Sequence, residues 1–178
     1  MNETSLINEW FQKLGIPEGY ARSRALKPVD LCDQLVSVGY DVFGREQRAH
    51  SETVSAWQAM QTAAEKDGIE LALVSAFRDV EYQAQLIERK LQQGQTIEQI
   101  LSVSAAPGYS EHHSGRALDL TTPDTRPLEP EFGDTEAYQW LVSHAGQFDF
   151  VESFGRNNQH GLIWEPWHWC HQRFLIWA

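Results

Sequence analysis

Cysteine is scarce in this sequence. Its 178 residues include two, Cys32 and Cys170, too far apart for a disulfide framework and without the CxxC spacing of a zinc knuckle. Basic residues are few as well: 14 Lys and Arg stand against 25 Asp and Glu, a formal net charge of -11. A surface of that sign argues against nucleic acid and anionic lipid as partners. No run approaches the roughly 20 apolar residues of a membrane span. The start, MNETSLINEWFQKLGIPEGY, lacks a basic segment followed by an apolar one, because Glu3, Glu9 and Lys13 interrupt it. A cytoplasmic location is therefore expected, or a periplasmic one if this is the mature form of an exported protein. There is no internal repeat, low-complexity tract or long linker.

What is present is a globular composition, 42% hydrophobic with seven Trp and eight Phe. That suits one domain over residues 1–178 with a real core, residues 1–45 packing on it as an N-terminal extension. A monomer is expected.

Residues 5–13 read as a short amphipathic helix with Ser5 as N-cap, and 17–45 as loops and short extended pieces. Residues 46–66 are rich in Ala, Gln and Glu, with Val54, Trp57, Met60 and Ala64 at helical spacing before Asp67-Gly68. IELALVSAF (69–77) predicts a buried strand. Helices follow at 79–94, closed by Gly94, and at 96–104, where Thr96 and Gln99 have capping-box spacing. RALDLTT (116–122) predicts a strand, 123–134 a loop, 135–147 a helix, 148–154 a strand and 155–161 a turn. Residues 162–174 predict a last aromatic strand, interrupted by Pro166. Helices and strands intermix without a βαβ repeat, and short loops such as 155–161 suit hairpins. The expected class is α+β: a small, mostly antiparallel sheet flanked by helices.

The stretch GYSEHHSGRALDL (108–120) sets imidazoles on a glycine-rich turn and then carries Asp119 into an apolar strand. A buried carboxylate is tolerable when a cation pairs with it. A catalytic zinc site takes three protein ligands and leaves one position open, and two histidines with one carboxylate form such a set. His112, Asp119 and His168 supply it if adjacent antiparallel strands bring them together, with the metal on the sheet face. Glu165 lies three residues before His168, so a regular strand would point the two to opposite sides. A bulge or turn at Pro166 would aim both inward. The HExxH helix of the common zinc peptidases is absent.

SEHHSGRALD (110–119) resembles the SxHxxGxAxD signature of the VanY/D-alanyl-D-alanine carboxypeptidase family. EPWHW (165–169) is similar to its ExxH signature, and SAFRDVEYQ (75–83) to its SxxRxxxxQ segment, with SAF where many relatives have SGY. The three blocks stand in family order. The resemblance implies Zn2+ held by His112, Asp119 and His168, and Glu165 as catalytic base. It implies that Arg78 steadies the developing oxyanion or orients the scissile carbonyl, with Gln83 and Ser110 at the substrate's peptide or terminal carboxylate. The implied substrate is a peptidoglycan stem peptide that loses its C-terminal D-alanine. The absence of a signal peptide favours an LD-carboxypeptidase acting on tetrapeptides in recycling over a DD-carboxypeptidase acting on pentapeptides. A reading of another class is a non-catalytic, zinc-containing module that binds peptidoglycan or protein.

Plainer roles compete. Arg78 is also suited to an ion pair with Asp79 or Glu81, Gln83 to a solvated helix face and Ser110 to a helix cap. His113 is expected beside the site or exposed, and His50, His144, His160 and His171 outside it. At least two of Trp164, Trp167 and Trp169 are expected in the core, and Cys170 as a small buried hydrophobe.

Overall fold

In the computed structural model, which describes residues 3–172, two antiparallel sheets organise the chain. A two-stranded ribbon pairs β1 (Leu35–Tyr40) with β2 (Glu46–His50). A four-stranded sheet has the order β3 (Ala72–Ser75), β4 (Ala117–Thr121), β6 (His168–His171), β5 (Phe150–Glu152). Every pairing is antiparallel. The helices are α1 (Glu3–Leu14), α2 (Tyr20–Ser23), α3 (Ser51–Lys66), α4 (Val80–Gln92), α5 (Ile97–Leu101) and α6 (Glu136–His144). Among the described residues no helix is long and apolar enough to cross a membrane.

Strand β4 is buried along its whole length, and its alternation decides what each face does. Leu118 and Leu120 join a core formed with Trp57 and Met60 of α3 and Leu141 of α6. Asp119 therefore points to the other face. A second apolar cluster joins Ala84 and Ile87 of α4 and Ile100 of α5 to Leu14, Ile16 and Tyr20. The N-terminal segment thus packs on the side of α4 and α5. It also bonds to the motif turn, through Val29 N–H to Gly108 O and Cys32 N–H to His113 O.

Local signals set the edges of α4 and α5. The Asp79 side chain accepts from Tyr82 N–H at 2.7 Å, and Gly94 leaves α4 at φ +88°. Thr96 and Gln99 complete the capping box of α5. Elsewhere the sequence reading needs correction. Helix α1 begins at Glu3, so Ser5 lies inside it and is not its cap. Residues 46–50 are strand β2, and α3 starts at Ser51 with the His50 ring accepting from Glu52 N–H. Pairing with β1 overrides the helical composition of that stretch. The last strand is short, because Pro166 and Trp167 turn the chain before His168. Residues 173 and 174 of the expected strand lie outside the described residues. The link from β5 to β6 is long, spanning 153–167, and no tight hairpin forms there.

Gly115 ends a 3-10 turn, Glu111–Ser114, at φ +67°, and it lies against β2. A Cβ there would sit 2.9 Å from the His50 backbone nitrogen, whose N–H bonds Gly115 O. Gly115→Ala combines left-handed strain with a backbone clash. It is expected to lower stability by about 1–3 kcal/mol, read as a reduced urea midpoint at unchanged m-value.

Candidate active site

The register of the four-stranded sheet builds the centre of the site. Asp119 is paired with His168 on one side and with Ser75 on the other. Cross-strand partners share a face, so the His168 ring lies against the Asp119 carboxylate, Nδ1 to Oδ1 at 3.1 Å. His112 arrives from the 3-10 turn that Gly115 closes, with Nε2 3.3 Å from Asp119 Oδ2. One ligand atom from each of His112, Asp119 and His168 lies within 4.8 Å of the others. All three side chains are buried.

The outer nitrogens of both rings are fixed by protein oxygens. A carbonyl can only accept, so His112 Nδ1–H donates to Ala76 O at 2.6 Å, leaving Nε2 to present its lone pair. His168 Nε2 lies 2.9 Å from Glu111 Oε2, which turns Nδ1 toward Asp119. Such outer partners orient metal-binding imidazoles and fix their tautomers. Glu111 was not singled out in the sequence; its place beside His112 in the motif was the available signal. His113 is fully buried, donating from Nδ1 to Arg78 O and accepting at Nε2 from Gly108 N–H. It braces the backbone of Arg78 and is not exposed.

Arg78 bonds Asp119 through Nη2 and Ser75 Oγ through Nε at 3.0 Å. Its ion-pair partner is therefore Asp119, not Asp79 or Glu81. Glu165 enters from the turn before β6, where His168 N–H donates to Glu165 O at 3.0 Å. This turn, and not a bulge, brings Glu165 and His168 to one cleft of about 590 Å³. Arg78, Gln83, Ser110, His112 and Asp119 line the same cleft. A larger depression of about 730 Å³, bordered by β1 and α3, holds none of these groups. Trp167 and Trp169 belong to the core, and Trp164 packs over Gly133. Cys170 is buried, and burial pushes its thiol well above the ordinary range.

Charge is strongly coupled here. Burial disfavours a charged His168, but bonds to Asp119 and Glu111 outweigh it and raise the ring to about 10. Burial and the Arg78 charge lower His112 to about 4. Burial alone would raise the Asp119 carboxyl, yet the neighbouring His112 and the Arg78 guanidinium, with the hydrogen bond from His168, hold it well below the usual range. Glu165 has burial as its main influence and rises to about 7. Two imidazoles and a carboxylate at one point form a donor set that could hold a metal ion, beside a carboxylate raised into a range where it can exchange a proton near neutral pH.

Comparison with known proteins agrees. The family model of VanY, D-alanyl-D-alanine carboxypeptidase, matches residues 46–173, and the chain belongs to that family. YodJ of Bacillus subtilis (strain 168) is 28% identical over 153 residues, 84% of this chain and 55% of its own length. The chain spans about half the length of the curated relatives it matches. The LD-carboxypeptidase LdcB superposes with a TM-score of 0.71 at 26% identity, covering 79% of this chain and 69% of that one. VanY from a VanB-type resistance cassette, as a glutamate-to-alanine mutant in complex with Zn(II), shares the fold. Its TM-score is 0.62 at 23% identity, over 82% of this chain and 83% of that one.

Proposed function

We propose that this protein is a zinc-dependent carboxypeptidase that removes the C-terminal D-alanine from peptidoglycan stem peptides. The observation that carries the reading is the convergence of His112, Asp119 and His168 beside Glu165 in one cleft. The donor set fits zinc: two imidazole nitrogens and one carboxylate oxygen, with both rings braced from behind. When bound, zinc supplies Lewis acidity and lowers the pKa of a water to about 7.

The chain's own groups do the rest. Glu165 takes the proton of the attacking water and passes it to the leaving amine nitrogen. Arg78 directs its remaining N–H donors to the oxygen that gains charge in the transition state. Gln83 Nε2 donates to Ala105 O at 2.8 Å, and its buried Oε1 has no hydrogen-bond partner among the described residues. That oxygen is an acceptor, suited to a substrate N–H and not to a carboxylate. Ser110 is buried, makes no capping bond and offers a hydroxyl to the peptide.

Within this reaction we infer the LD bond, between the diamino acid and D-alanine of a tetrapeptide. The similarity to LdcB supports it. The test is D-alanine release by the zinc-loaded protein from tetrapeptide and pentapeptide muropeptides. Faster release from tetrapeptide is expected. Preference for pentapeptide overturns the LD assignment, and release from neither overturns the enzymatic reading in favour of a binding module.

Zinc uptake has its own signature. In the metal-free chain His168 holds its proton up to about pH 10, so at pH 7 the ion must displace it. Apparent affinity is expected to rise about tenfold per pH unit between about pH 7 and that value and more steeply below 7, where Glu165 also gives up a proton, so that somewhat more than one proton leaves per ion at pH 7. Calorimetry at pH 7 in buffers of different ionisation enthalpy measures that release.

A further inference from the structure

The cleft contains a cation that the proposed mechanism leaves unused. Lys90 lies seven residues after Gln83 on α4, two turns along the same face, and it lines the cleft with Gln83 and Glu165. Its Nζ donates to Ser104 Oγ at 2.9 Å. The other cations lining the cleft are committed, Arg78 to Asp119 and Arg45 to Asp41. Lys90 has no carboxylate in ion-pair contact among the described residues. It is half-buried in a chain with a net charge of -11, and the charges of Arg78 and Glu165 both act on it.

A carboxypeptidase must hold a free carboxylate one residue beyond the scissile carbonyl, a distance of about 3.5 Å along the chain. Gln83 presents an unpaired acceptor oxygen, which repels a carboxylate. Arg78 is held by Asp119 and, in the proposed mechanism, aims its remaining donors at the oxyanion and not at the chain end. We propose that Lys90, steadied by Ser104, is the cation that receives the C-terminal carboxylate of the substrate and so selects chain ends over internal peptide bonds. This inference rests on the carboxypeptidase reading. A lysine suits the task as a compact point charge on a flexible stem, which reaches into a cleft without a bidentate frame. Leu86, one helical turn before Lys90, and Val103 line the same cleft.

The test compares a stem tetrapeptide with its C-terminal amide. The wild-type protein is expected to favour the acid by about 10- to 100-fold in kcat/KM, the range of one charge-assisted hydrogen bond. Lys90→Met keeps the aliphatic stem and is expected to abolish that preference by raising KM for the acid, with kcat little changed. Lys90→Arg is expected to restore most of it. Lys90→Met retaining the wild-type preference overturns the proposal. Binding measured by calorimetry in a Glu165→Ala background separates this from the enzymatic reading. If the wild-type protein cleaves no stem peptide, the catalytic reading fails. Loss of acid-over-amide binding on adding Lys90→Met still supports the seat, and equal binding with and without Lys90 overturns it.

Discussion

Glu165→Ala is expected to retain stoichiometric zinc and to lose about 10²- to 10⁴-fold in kcat, the usual contribution of a positioned acid–base group. Glu165 is outside the triad whose atoms lie within 4.8 Å of one another, so its removal leaves the ligand set whole. The KM for stem peptide should change little, because Glu165 handles protons and does not hold the peptide. The pH profile carries a second readout. Burial raises Glu165 to about 7, and only its ionised form accepts a proton, so activity climbs as pH rises through that region. A bound cation favours the carboxylate and moves the acid limb below 7. In Glu165→Ala the limb should vanish from whatever activity persists. Metal content and single-turnover rates on the same preparation check both parts. A variant that turns over at the wild-type rate removes Glu165 from the base role.

Much of the site was legible because its chemistry forces unusual sequence. A carboxylate between two leucines in a strand needs a cation partner, and Asp119 has two imidazoles and Arg78 against it. Gly94 was legible as a helix end because other residues are strained at its φ of +88°, whereas the left-handed conformation of Gly115 emerged only from the fold. What the sequence could not carry was register and competition between pairings. Residues 46–50 have helix-forming composition, yet a partner strand eleven residues upstream claims them. The Glu165–His168 relation depended on whether Pro166 made a bulge or a turn, a choice set by tertiary packing. Glu111 and Lys90 look like ordinary charges on turn and helix surfaces. Only the fold shows that one braces His168 and the other enters the cleft, although the seven-residue step from Gln83 to Lys90 was a sign in plain view.

Replacing Asp119 should have the broadest consequences, because three groups lean on one side chain. Asp119→Ala removes a ligand, so zinc content at equimolar metal is expected to fall from one per chain to near zero, and activity with it. The metal-free fold should suffer too. Arg78 would keep a largely buried guanidinium without its carboxylate, and breaking a buried pair from one side costs about 3–5 kcal/mol. His168 would lose one of the two carboxylates that raise it, so its pKa should fall from about 10 toward the ordinary histidine range. The pH dependence follows from the sign of the Asp119 shift. Its folded pKa lies well below 3.8, so the stabilisation is complete at neutral pH and is lost as pH drops below 3.8 toward the folded value. The gap in unfolding free energy between wild type and Asp119→Ala, both stripped of metal, should therefore narrow on acidification. Asp119→Asn keeps the shape without the charge and separates the two contributions. It should recover side-chain packing but neither the Arg78 pair nor the metal. Urea unfolding at pH 7 and pH 3, with zinc measured by mass spectrometry, decides the matter. An Asp119→Ala protein as stable as wild type and still loaded with zinc would show that the three side chains do not form one electrostatic unit.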